Sequence, residues 1–196
     1  MLTSPNKRNI VLIDVNNFYV SCERVYKQFN QANFVTQVQT TVQSHAINPN
    51  LLKMELTDSM LLDNIEHIII TMVALQTIGI RFELDDFGTG YSSLQYLKKL
   101  PLQQLKIDQS FVRDITEDNS DQAIVRTIIA MAHGLNIDVI AEGVETDNQL
   151  AYLRNYGCNH FQGYLFGRPT PINEFEALLE KSRFERMSSK EIFSAI

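Results

Sequence analysis

A parallel α/β fold, with strand followed by helix along most of the chain, is the architecture this sequence predicts. Strand-like apolar runs sit near residues 54, 82, 106, 140 and 162, and a helical stripe separates each from the next. The repeat is roughly 25 to 35 residues, the spacing of βαβ units. Acids and one lysine gather where the runs end. A closed eight-stranded barrel and an open doubly wound sheet both satisfy this pattern. No GxGxxG or GxxxxGK[ST] loop is present, so the nucleotide-fold fingerprints are missing.

The elements follow in order. Asn9-Ile10-Val11-Leu12-Ile13-Asp14-Val15 is a short apolar run with an acid near its end, a buried-strand signal. Residues 33–46 carry Phe34, Val35, Val38 and Val42 on one helical stripe. Pro49 breaks the chain before a strand over residues 51–56. A helix over 63–77 is expected to bury Ile65, Ile68, Ile69, Met72, Val73 and Leu75, with Gly79 as its stop. The next strand covers 80–85. A short helix over 92–99 halts before Pro101, and a strand covers 104–108. The helix over 120–134 is expected to turn Ile124, Val125, Ile128, Ile129 and Met131 inward. A strand covers 138–142. Thr146 and Gln149 stand at capping-box spacing for a helix over 146–156, which Gly157 ends. A strand over 160–165 and a closing helix over 172–181 complete the body. Residues after Arg183 read as a weakly packed polar tail.

Composition narrows the function classes. The chain has 196 residues, 44% hydrophobic and 20% charged, and a net charge of −6. An acidic surface grips a phosphate backbone poorly. No apolar run reaches the ~18 residues of a membrane span. No signal peptide is recognisable, so a cytoplasmic protein is expected. Cys22 and Cys158 stand far apart, without metal-ligand or disulfide spacing, and read as free thiols.

The chemistry lies at the strand ends. Glu55 closes the first body strand, Asp85 and Asp86 the second, Lys106 and Asp108 the third, and Glu142 the fourth, with Glu145 close behind; Gln162 lies on the fifth. In parallel strands these ends share one face, where active sites form. A single acid after a strand is often only a helix cap, but several in register point to shared chemistry. All-oxygen ligands suit hard divalent cations such as Mg²⁺ or Mn²⁺. Two such ions about 4 Å apart activate a water and brace a leaving oxygen, and a neighbouring lysine orients that water. Gly88-Thr89-Gly90 is a loop that brings backbone close to a ligand or partner. His160 reads as a polar residue starting its strand.

The same residues resemble a known family. Glu55-Leu56-Thr57-Asp58-Ser59 is similar to the ELTES segment of EAL domains. Asp85-Asp86-Phe87-Gly88-Thr89-Gly90-Tyr91-Ser92-Ser93-Leu94 matches their DDFGTGYSSL loop. Leu105-Lys106-Ile107-Asp108 resembles LKID, residues 140–146 resemble AEGVET, and residues 161–169 resemble FQGYLFGRP. The resemblance implies a TIM-like (β/α) barrel that hydrolyses cyclic-di-GMP to linear pGpG with two Mg²⁺ or Mn²⁺ ions. It makes Glu55 and Asp85 ligands of one metal and gives Asp86 and Glu142 to the second. It places Lys106 on the catalytic water, Glu145 on the DDFG loop at a homodimer interface, and Gln162 in support of the metals.

No Glu-Ala-Leu tripeptide precedes Glu55, and three strands expected ahead of it have no counterpart. The expectation is therefore an incomplete barrel of about six strands, with weak or lost activity. The alternative is a non-catalytic module that binds cyclic-di-GMP or a protein. Residues 9–25 resemble the first strand of Y-family DNA polymerases, in which Asp14 would bind metal and Tyr19 would sit by the sugar. The rest of a polymerase is missing, so no DNA partner is expected. The expected layout is a polymerase-like segment over 1–32, a truncated EAL domain over 33–183 and a tail over 184–196. Asp14 and Asn16 are then possible substitute ligands in a vacant barrel slot.

Overall fold

The structure, a computed structural model, describes residues 29, 31, 33–57, 65–89, 94–171, 173, 174 and 177. Among the described residues, five parallel strands form one sheet in chain order: β1 (Lys53–Thr57), β2 (Arg81–Phe87), β3 (Gln104–Ile107), β4 (Asp138–Ala141) and β5 (His160–Phe161). Glu55 aligns with Glu83, Leu84 with Leu105, Lys106 with Ile140, and Ala141 with Phe161. Among the described residues these helices surround and connect the strands: α1 (Phe34–Ser44), α2 (Ile65–Ile78), α3 (Leu94–Leu97), α4 (Gln109–Arg113), α5 (Asn119–Gly134) and α6 (Asp147–Asn155). A 3₁₀ turn, Pro49–Leu51, leads into β1. This is the parallel-strand, outer-helix layout of an incomplete (β/α) barrel.

Strand alternation sorts the side chains. In β2, Phe82 and Leu84 alternate with Glu83 and Asp85; in β3, Leu105 and Ile107 alternate with Gln104 and Lys106. The apolar set joins Ile68, Met72 and Leu75 of α2, Val125, Ile128 and Ile129 of α5, and Leu153 of α6 in one buried core. Phe29 extends it, with its ring 5.0 Å from Phe34 and 6.3 Å from Phe82. The polar set is buried as well and occupies two levels. In the lower one Lys53 pairs with Glu83 and donates to Gln104 Oε1 at 2.8 Å. The upper one carries Asp85 and Lys106.

Local chemistry fixes the connections. Asp118 caps α5 by accepting from the Ser120 and Asp121 N–H groups. The Thr146–Gln149 capping box opens α6 as its spacing predicts. Gly79, at φ +111°, ends α2 in the left-handed conformation that glycine supplies at low cost. Cys158 is free and fully buried, and burial pushes its thiol up to about 11, so it is a packing residue rather than a nucleophile.

Several expectations need correcting. Val73 and Ile124 are exposed, at 47% and 37%, not turned inward. Both helices have more apolar residues than their sheet-facing stripes can hold, and these two fall on the far side. The last strand covers only His160–Phe161; beyond it the chain passes tightly over Val144, where a Cβ on Gly163 would lie 2.2 Å from the Val144 carbonyl oxygen. The helix α4, not anticipated, is capped by Asp108, whose side chain accepts from Ser110 N–H at 2.9 Å. The sixth strand expected over Asn9–Val15, with Asp14, Asn16, Tyr19 and Cys22, lies outside the described residues. So do Gly90, the segment 58–64 and most of the closing helix.

Candidate metal centre

Strands β1 to β3 and the end of β4 bring three acids around one lysine. Lys106 Nζ lies 2.7 Å from Glu142 Oε1, 2.8 Å from Asp85 Oδ1 and 3.3 Å from Glu55 Oε1. Lys106 and Asp85 are buried. Glu55 and Glu142 keep partial access to solvent, so the cluster is open on one side.

Two adjacent aspartates reach this cluster because β2 is irregular. Its register with β3 shifts between Leu84 and Phe87, the one-residue offset of a β-bulge. Asp86 sits at φ +51°, a left-handed conformation that aspartate tolerates better than most residues. Its N–H donates to Asp85 Oδ1 at 3.0 Å, and Thr89 Oγ1 donates to its carbonyl at 2.9 Å. One oxygen from each of Asp85, Asp86 and Glu142 falls within 4.8 Å of the others. A regular strand would have sent Asp86 to the opposite face from Asp85.

Charge is in excess. Burial would lower the Lys106 ammonium, but Glu142 and Asp85 outweigh it and hold the group above the usual lysine range. Burial pushes Glu142 up to about 7, against the pull of Lys106 and helped by Asp85 and Glu55. Asp86 rises to about 6, through burial and then repulsion from Asp85 and Asp108. Burial also raises Glu55, although Lys106 opposes it. One ammonium therefore does not neutralise the set. The donors are all carboxylate oxygens, converge at short range and carry surplus negative charge. That is the donor chemistry of a hard divalent cation, and the residues present fit one.

The other sequence candidates fall around this cluster. Asp108 caps α4, and its charge adds to the repulsion that raises Asp86. Gly88 and Thr89 form the turn after β2; a Cβ on Gly88 would lie 2.9 Å from Phe111 Cε2. Glu145 is exposed, and its N–H donates to Gln149 Oε1 at 2.8 Å. Gln162 is exposed just past β5, and its backbone pairs with Ala141 and Val144. His160 is an exposed strand-start residue. Sequence reasoning passed over Lys53, Glu83 and Gln104; the period-two alternation that marked Asp85 and Lys106 also marks them.

A sequence model of the EAL domain matches residues 16–169, beginning inside the stretch that resembles a polymerase strand. The cyclic di-GMP phosphodiesterase NbdA of Pseudomonas aeruginosa is 43% identical over 155 residues, which are 79% of this chain and 20% of that protein. The bifunctional diguanylate cyclase/cyclic di-GMP phosphodiesterase MucR of the same species is 41% identical over 150 residues, 76% of this chain and 22% of its own length. The chain thus spans about a fifth of the curated relatives it matches. Among solved structures, the PaMucR phosphodiesterase in complex with c-di-GMP superposes with a TM-score of 0.72 at 40% identity, over 76% of this chain and 61% of that one. Klebsiella pneumoniae BlrP1, solved with manganese and cyclic-di-GMP, superposes with a TM-score of 0.66 at 31% identity, over 72% and 36%. The ordered motifs, the parallel strands that carry them and these matches lead to one conclusion: the chain belongs to the EAL domain family.

Proposed function

We propose that this chain is an EAL-type phosphodiesterase domain that opens cyclic-di-GMP to linear pGpG, with low activity. The convergence of Asp85, Asp86 and Glu142 oxygens within 4.8 Å, beside Lys106, carries the reading. Glu55 and Asp85 would hold one Mg²⁺ or Mn²⁺ ion, and Asp86 and Glu142 the second. When bound, such ions activate a water and stabilise the departing oxygen of a phosphodiester.

The chain's own groups do the rest. Lys106, charged and fixed by its carboxylate partners, would orient the attacking water and offset charge on the phosphate. Thr89 braces Asp86 in its left-handed conformation through its hydroxyl. Glu145 and Gln162, both exposed, would support the loop and the metals. Hydrolysis adds one water across a single P–O bond, leaving a phosphate on one sugar and a hydroxyl on the other. The low rate is part of the proposal, because no Glu-Ala-Leu tripeptide stands over residues 16–54, inside the span that the EAL model matches.

The N-terminal segment, 1–32, belongs to this reading as a possible source of replacement oxygen ligands through Asp14 and Asn16. Unchanged metal affinity in Asp14→Ala would remove it. Among the described residues β1 and β5 each pair on one side only, which favours a homodimer that covers an open flank.

The test is purified protein with cyclic-di-GMP and Mn²⁺, analysed by chromatography for the linear dinucleotide. Product that disappears in Glu55→Ala supports the enzyme. Calorimetric binding without turnover would instead assign a binding module.

A further inference from the structure

We infer that Gln149 is a positioning residue that ties the Glu142 loop to the Lys106 loop and so sets the spacing of the acidic cluster. The inference rests on the reading of that cluster as a metal centre. The side-chain hydrogen bonds of Gln149 go to none of the acids in it, yet the residue is only 6% exposed. Its Oε1 accepts from the N–H groups of Glu145 at 2.8 Å and Thr146 at 3.0 Å. Its Nε2 donates to the Arg113 carbonyl at 2.9 Å.

Those partners lie on two different loops. Glu145 and Thr146 lie on the same loop as Glu142, just beyond Gly143 and Val144. Arg113 ends α4, which begins one residue after Asp108 and so continues from Lys106. A capping box needs only the contacts inside its own helix end. The bond to Arg113 is additional, and it reaches across from β4 to β3.

The surroundings of α4 show why a tie there matters. A Cβ on Gly143, next to Glu142, would lie 2.6 Å from Gln109 Cβ, and one on Gly88, just past Asp86, would lie 2.9 Å from Phe111 Cε2. One turn of helix is thus wedged against both acid-bearing loops, at positions where each has a glycine. Gln149 holds the far end of the wedge. Released, α4 and the Glu142 loop would separate, and the 2.7 Å contact between Lys106 and Glu142 would lengthen.

The experiment compares Mn²⁺ affinity by calorimetry in the full chain, with no substrate present, for wild type, Gln149→Leu, Gln149→Glu and Asp118→Ala. Gln149→Leu removes all three side-chain bonds. Gln149→Glu keeps the acceptor for Glu145 and Thr146 but loses the donor to Arg113. Asp118→Ala removes a helix cap whose side chain bonds only Ser120 and Asp121, and none of the clustered acids, and it controls for general destabilisation. Outer-shell partners of metal ligands typically carry roughly 10- to 100-fold in affinity. The expected result is a loss of about tenfold or more in Gln149→Leu, an intermediate loss in Gln149→Glu and none in Asp118→Ala.

Wild-type affinity in Gln149→Leu, or an equal loss in Asp118→Ala, overturns the inference and leaves the phosphodiesterase reading intact. Should Gln149→Leu not fold, Gln149→Glu carries the test, and wild-type affinity there overturns it. Should the wild type bind no Mn²⁺, the metal reading fails by itself. The crystallographic Lys106–Glu142 distance in the metal-free Gln149 variants then decides: lengthening supports the positioning role, and an unchanged contact overturns it.

Discussion

Lys106 Nζ and Glu142 Oε1 stand 2.7 Å apart, one from β3 and the other just past β4, with Asp85 on the lysine's other side at 2.8 Å. The ammonium is the counter-charge that makes this concentration of buried acid tolerable. Lys106→Met is expected to lower stability by about 3–5 kcal/mol, the usual penalty for removing one partner of a buried ion pair. Urea denaturation of the metal-free protein measures it; a loss below ~1 kcal/mol would show that solvent already screens the acids.

Glu142 gives the metal-free protein an unusual pH dependence. Its carboxyl titrates at about 7 when folded, against an ordinary value of 4.5. The folded state therefore binds the proton more tightly. The associated stability is fully present below pH 4.5 and is lost as pH rises through 7. Asp86, raised to about 6 but more exposed, adds a smaller effect of the same sign. Thermal melts in chelator are expected to show a lower Tm at pH 7.5 than at pH 5, and Mn²⁺ is expected to reverse the drop at pH 7.5. A Tm that rises over this range without metal would contradict the electrostatics.

Asp86 separates backbone from side-chain effects. At φ +51° an ordinary side chain is strained and glycine is not. Asp86→Gly is expected to be more stable than Asp86→Ala by ~1 kcal/mol, while both lose Mn²⁺ affinity to a similar extent. Melts and calorimetry on the pair check both halves.

The lower polar layer predicts non-additivity. Lys53→Met strands the buried Glu83 carboxylate and is expected to cost about 3–5 kcal/mol. The double variant Lys53→Met/Glu83→Leu is expected to fall within ~1 kcal/mol of wild type. A double-mutant cycle by denaturation gives the coupling directly; additive losses would mean the pair is independent.

Much of this architecture was legible because the barrel writes a strong pattern. Phe82–Glu83–Leu84–Asp85 and Gln104–Leu105–Lys106–Ile107 alternate cleanly, so strand, face and site residue come from the same few positions. Val73 and Ile124 misled because their helices are apolar beyond one stripe, and periodicity then cannot choose a face. The left-handed Asp86 was hidden: two consecutive aspartates say nothing about a bulge that turns both to one side. The helix α4 is a single turn with no period to detect, and only the Asp108–Ser110 capping pair announces it. Gln149 reads as a capping-box residue, and its tie to Arg113 exists only in three dimensions.

The most direct test of the account is a calorimetric titration of the purified chain with Mn²⁺ at pH 7.5, beside Asp85→Asn. The account predicts saturable binding by the wild type, with a stoichiometry near two, strongly weakened in the variant because Asp85 loses its ligand charge next to Lys106. Absence of binding by the wild type, or equal binding by Asp85→Asn, would contradict the claim that the acids at the strand ends form a divalent-metal centre.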